Sequence, residues 1–107
     1  MQLLNKTLLA RFEAVGSQED TKDPIVIAKF FDPCGSATWF ATAYDVAERM
    51  FFGFASIFRD PSMDEYGYFS LDELQAIRGP LGLGIERDVH AEECPISEYI
   101  KNLYRSN

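Results

Sequence analysis

His90 is the sole histidine, and Glu86, Arg87, Asp88, Glu92 and Glu93 crowd around it in sequence. Residues 85–90, Ile-Glu-Arg-Asp-Val-His, mix apolar and charged side chains as a strand with one wet face does. On such a strand Glu86, Asp88 and His90 share a side, because successive side chains point to opposite faces. Two carboxylates and an imidazole are donors common to metal sites and acid–base centres. The same residues also make the solvated, charged face of an edge strand, which discourages pairing with other chains. That arrangement is the more frequent one, so Glu86, Arg87, Asp88 and His90 stand as binding candidates and no catalytic residue or metal ligand is assigned.

Other chemistry finds less support. Residues 62–73 align with the twelve-residue calcium loop of an EF-hand when Gly67 takes the turn position, and Asp64, Ser70 and Glu73 then fall at ligand positions. Ser62 stands in place of the leading carboxylate, however, Tyr66 replaces an oxygen ligand, and the residues before the loop are Phe-rich rather than an incoming helix. Ser70 and Glu73 are better explained as a capping box at a helix start. Cys34 and Cys94, the only two cysteines, form no CxxC or CxH pair of the zinc-binding kind and have no activating motif. There is no GxSxG elbow, and the glycines at 79, 82 and 84 lack the Lys-Ser/Thr ending of a phosphate loop. No cofactor is expected. Trp39 and Tyr44 are either core rings, the more frequent case for aromatics, or an exposed binding platform.

The elements that position these residues follow from periodicity. Leu8, Leu9, Phe12 and Val15 recur at helical spacing over residues 5–15, with Gly16 as the stop. Residues 17–23 form a polar loop ending at Pro24. Residues 25–31, Ile-Val-Ile-Ala-Lys-Phe-Phe, predict a covered strand, the turn 32–36 follows, and residues 37–44 return as the second arm of a hairpin. A third strand is expected over 51–58, helical continuation through Val46 and Met50 being the alternative. Residues 59–65 read as a loop closed by Gly67. Ser70 then starts a short helix carrying Leu71, Leu74 and Ile77 on one side, stopped by Gly79-Pro80. Residues 85–90 give an edge or last strand, and Ile96, Tyr99, Ile100 and Leu103 a final amphipathic helix with Pro95 in its first turn. The expectation is an α+β fold in the order α-β-β-β-α-β-α, a mainly antiparallel sheet of about four strands with three helices packed on it.

The 107 residues suffice for one hydrophobic core, so residues 1–107 read as a single domain. An apolar share of 47% argues against disorder. Nine Phe, five Tyr and one Trp are explained most simply by a Phe-rich core, the sharper alternative being an exposed aromatic patch that serves a partner or self-association. A net charge of −7 repels phosphate backbones, which makes nucleic-acid binding unlikely and leaves acidic mimicry of nucleic acid as a lesser reading. Lys6 and Arg11 interrupt the first sixteen residues, so no signal peptide or membrane span is expected there, and a cytoplasmic protein with reduced thiols follows.

Several short stretches in order, Ala37-Thr38-Trp39, Phe52-Gly53, Gly67-Tyr68-Phe69-Ser70-Leu71 with Glu73-Leu74, Arg78-Gly79, Leu81-Gly82-Leu83 and Ile85-Glu86-Arg87-Asp88 with His90, resemble the bacterial family known as domain of unknown function 2958. The resemblance implies a setting in plasmids, phages and other mobile elements, and carries over no activity or site residue. Together these features point to a small non-enzymatic accessory protein that binds a protein partner or forms a homodimer. The alternative is a small-ligand binder or enzyme, its pocket joining Trp39, Tyr44 and Tyr68 to polar groups at Glu86, Arg87, Asp88 or His90.

Overall fold

The structure, a computed structural model, describes residues 2–105. Helix α1 spans Lys6–Val15. Asn5 stays extended and its side-chain oxygen accepts from Leu8 N at 2.8 Å, satisfying one of the unpaired amides of the first turn. At the other end Gly16 turns to φ 76° and returns its N–H to the Phe12 carbonyl, a backbone state that side-chain-bearing residues rarely adopt.

Seven strands follow: β1 Ile25–Val26, β2 Ala28–Phe31, β3 Thr38–Asp45, β4 Met50–Ser56, β5 Glu65–Ser70, β6 Glu86–Arg87 and β7 Cys94–Pro95. Five of them make an antiparallel sheet in the order β5-β4-β3-β2-β6, and β1 pairs separately with β7. The α+β class is as expected, with more strands than four. The β2–β3 hairpin and its turn form as predicted, Asp32 Oδ1 accepting from Cys34 N at 2.9 Å within the turn. The strand predicted over 25–31 is divided at Ile27. Its N–H still reaches the Ala41 carbonyl at 2.8 Å, while Ile25 and Val26 turn away to pair with Pro95 and Cys94.

Strand β5 lies where a loop to residue 65 and a stop at Gly67 were expected. Gly67 has little strand preference of its own, yet it pairs with Gly53 between two aromatic cross-strand pairs, Tyr66 with Phe54 and Tyr68 with Phe52, each at 5.0 Å between ring centroids. Such cross-strand contacts, not the local residue, decide strand formation. Helical continuation through Val46 and Met50 does not occur: the chain turns there, with Arg49 at φ 55°. Helix α2, Leu71–Ala76, begins at Ser70 as predicted, but only half of the capping box forms: Ser70 Oγ accepts from Glu73 N at 3.1 Å, while Ser70 itself is the last residue of β5, paired with Met50. Ile77 falls just past its end and is partly exposed instead of on the buried side.

Two cores flank the sheet. On one face Phe12, Phe30, Trp39, Phe51, Leu71 and Leu74 join α1 and α2 to the strands. On the other, helix α3 (Ile96–Arg105) lays Ile96 and Leu103 over Phe40 and Phe54, and Tyr99 stacks 5.2 Å from Phe40. The start of α3 is held by the loop before β1, because Asp23 accepts from the backbone N–H and hydroxyl of Ser97. Pro95 ends β7 immediately before this helix, one residue ahead of its expected place.

Near the end of α3 the Tyr104 hydroxyl donates to Asp64 Oδ2. Burial first, and the Asp64 carboxylate second, push the Tyr104 phenol up, and burial also raises Tyr66 and Tyr99. The folded protein therefore keeps phenol protons that the unfolded chain releases near pH ~10. Above that pH the unfolded state binds fewer protons, so the stability these phenols contribute is fully present below about pH 10 and is lost as pH rises beyond it. Urea midpoints measured from about pH 8 to about pH 11 should show this decline, with a shallower slope in Tyr104→Phe.

Candidate functional site

Helix α3 covers only part of its face of the sheet. Beyond Phe40 and Phe54 the same face continues through Ala43, Phe52 and Tyr68, and no described residue of α3 lines the cleft found there. Tyr66 and Tyr68 are 52% and 69% exposed, each packed edge-on against its β4 neighbour. They line a concave cleft of about 620 Å³. Its floor is Met50, Phe52, Tyr66 and Tyr68, and its opposite wall is the end of α1 with the loop 16–24, including Glu13, Gln18 and Lys22.

That wall is built by a sheet irregularity. A bulge in β3 between Ala41 and Ala43 sets Thr42 out of register, and its carbonyl is taken by Gln18 Nε2 at 2.7 Å. The same amide donates to Ile25 O at 2.9 Å and accepts from Ile25 N at 2.7 Å, so one side chain ties the loop to two strands. Bulges commonly redirect groups in this way beside functional sites. Gln18→Ala leaves these partners unsatisfied in a part-buried place and should cost about 2–3 kcal/mol. A lowered urea midpoint and new proteolytic cleavage within residues 17–23 would report it.

Three carboxylates, Glu13, Glu19 and Asp45, and one ammonium, Lys22, line the cleft. Arg49, nearby, is engaged by Asp72 in a two-pronged pair at 2.7–3.1 Å, which lowers the Asp72 carboxyl. Burial raises the Tyr66 hydroxyl, with Asp23 adding to the effect. The lining thus combines aromatic rings with three carboxylates against one ammonium, and ring faces and carboxylates attract the same sign of charge.

Of the residues singled out in the sequence, Tyr44 and Tyr68 both line this cleft. Trp39 does not; it is 6% exposed, packed in the core on the α1 side. Glu86 and Arg87 form β6, at the opposite edge of the sheet from β5. Asp88 N still donates to the Lys29 carbonyl at 2.9 Å, but the chain turns at Val89 and His90, so the alternation that would align Glu86, Asp88 and His90 does not reach His90. Arg87 instead donates to the Gln2 carbonyl at 2.8 Å, Asp88 pairs with Lys29 at 3.6 Å, and Asp88 Oδ1 accepts from His90 N while His90 stays exposed. The structure thus joins the two tyrosines and leaves Trp39 and the 86–90 group apart from them. Lys29 also lines a separate cavity of about 280 Å³ with Thr38, Arg59 and Tyr99.

Residues 62–73 form a turn, β5 and the start of α2 in place of a calcium loop, and among the described residues no three His, Cys, Asp or Glu side chains gather as metal ligands. Cys34 is exposed, and burial pushes the Cys94 thiol up, away from the thiolate that nucleophilic attack requires. Phe52, Tyr66, Met50 and Gln18 were not anticipated as site residues. The signal for the first two was an aromatic at every second position of two neighbouring stretches, 52/54 and 66/68, which places each pair on one face of a strand.

Among the described residues no helix is long and apolar enough to cross a membrane. No curated protein and no solved structure matches the chain. A family model, Protein of unknown function (DUF2958), matches residues 1–106, and the chain belongs to that family.

Proposed function

We propose that this chain is a small accessory protein that works by binding a protein partner, through the open edge of β5 and the aromatic face beside it. The observation that carries this reading is β5 itself. It is an outer strand of six residues, among the described residues no other strand pairs with its outward side, and Tyr66 and Tyr68 stand exposed on it. Edge strands that must not pair are guarded by Lys, Pro or inward charges. The sequence Glu-Tyr-Gly-Tyr-Phe-Ser of β5 has no Lys and no Pro. Tyrosine is also among the residues that dominate binding energy at protein interfaces. A role within a mobile genetic element fits the family resemblance and is part of the proposal.

The paired variant Tyr66→Lys/Tyr68→Lys tests it. Both side chains are largely exposed, so the fold should survive while the face gains the charges that block edge pairing. Proteins captured by the tagged chain from its own cells, together with self-association followed by sedimentation, should weaken by about 30-fold or more, as expected for loss of two central aromatics. Association of equal strength in the variant, or none in the native chain, would defeat the proposal.

A further inference from the structure

We infer that the segment bound at this face is basic: an extended peptide carrying Arg or Lys at alternate positions, which lies along β5 and inserts those side chains into the cleft. This rests on the partner-binding reading and adds the chemistry of the partner. A strand added to β5 places every second side chain on the face that bears Tyr66 and Tyr68, and that face is the floor of the cleft. The cleft is a favourable place for a cation on two independent grounds. Tyr66, Tyr68 and Phe52 offer aromatic rings, over which guanidinium and ammonium groups are attracted by the ring quadrupole. Glu13, Glu19 and Asp45 outnumber Lys22 on the lining, and among the described residues no Lys or Arg stands within ion-pair distance of any of the three.

The edge has the same sign. Glu65 is the only charged side chain on β5, and the whole chain carries −7. An acidic partner strand would meet like charge at Glu65 and at the carboxylates of the cleft, whereas a basic one is steered in and seated by them. The aliphatic stems of Arg and Lys match the apolar surface of Met50 and Phe52, leaving the charged heads toward the rim.

Amide chemical-shift titration of the full chain with three capped hexapeptides, alternating Thr with Arg, Gln or Glu, tests the inference. The Arg peptide should shift the amides of Phe52, Tyr66, Tyr68 and residues 17–22, and bind about tenfold more tightly than the Gln peptide, with the Glu peptide silent. Glu19→Gln/Asp45→Asn should weaken the Arg peptide about fivefold without altering the rest of the spectrum, and salt on the order of 0.5 M should erase that difference. Equal binding of Gln and Arg peptides at β5 would overturn the charge assignment while leaving the partner-binding reading intact. Shifts confined to another surface, or equal binding by free spermidine, would overturn the peptide assignment. Concentration-dependent shifts at β5 without peptide would give the face to a second copy of the chain.

Discussion

Gly53→Ala should unfold the protein or lower its melting temperature by more than about 10 °C, an outcome out of proportion to one methyl group. A Cβ built on Gly53 would lie 1.8 Å from the Phe40 carbonyl oxygen and 2.8 Å from its carbon, both backbone atoms of the neighbouring strand. A side chain in the way can rotate aside; here β3 itself must move. Overpacking usually costs about 1–3 kcal/mol. A clash with backbone at the centre of the sheet belongs above that range, and a small domain has only about 5–15 kcal/mol in total. The β3 bulge one residue from Ala41, the partner of Gly53, shows how far this pair departs from regular spacing. Thermal denaturation of Gly53→Ala within two or three degrees of the native chain would mean that the two strands are not this close.

Phe51→Ala should cost about 3–5 kcal/mol, the range for emptying a buried aromatic site. Phe51 is fully buried and its ring lies 4.9–5.7 Å from those of Tyr44, Phe30, Phe69 and Phe12. It joins α1 to three strands, so no single neighbour can move in to fill the space. Phe51→Leu keeps most of the volume and loses the ring contacts, each worth about 0.5–1.5 kcal/mol, so its loss should be clearly smaller. Urea unfolding of the two variants gives the comparison. A loss below about 1.5 kcal/mol for Phe51→Ala would remove Phe51 from the centre of the core.

Much of this architecture is legible in the sequence where one element decides its own fate. The helical stripe ending at Gly16, the hairpin across Asp32-Pro33-Cys34-Gly35-Ser36 and the cap at Ser70 are local signals, and all three appear in the structure. Strand β5 was not legible, because Gly67 reads as a breaker unless Gly53 and the Phe52 and Phe54 rings are already across from it. The division of the 25–31 run depends on β7, seventy residues away in sequence, and the shortening of the last predicted strand depends on Asp88 turning to hold His90 N.

The candidate site was half legible for a related reason. Residue type alone does not separate Trp39, which the α1 face buries, from Tyr68, which α3 fails to cover. Tyr44 and Tyr68, named from the sequence as candidates, line the cleft. The loop that walls the cleft is polar and without period, so Gln18 acquires meaning only once the β3 bulge has freed the Thr42 carbonyl for it.

The central claim is that the β5 face is where this protein meets its partner. Its most direct test is site-specific photocrosslinking in the cells that make the protein, with benzoylphenylalanine placed at Tyr68 and, as a control, at Leu81, which is 92% exposed and does not line the cleft. The account predicts a discrete protein adduct from position 68 and none from position 81. No adduct at 68, or the same adducts from both positions, would contradict it.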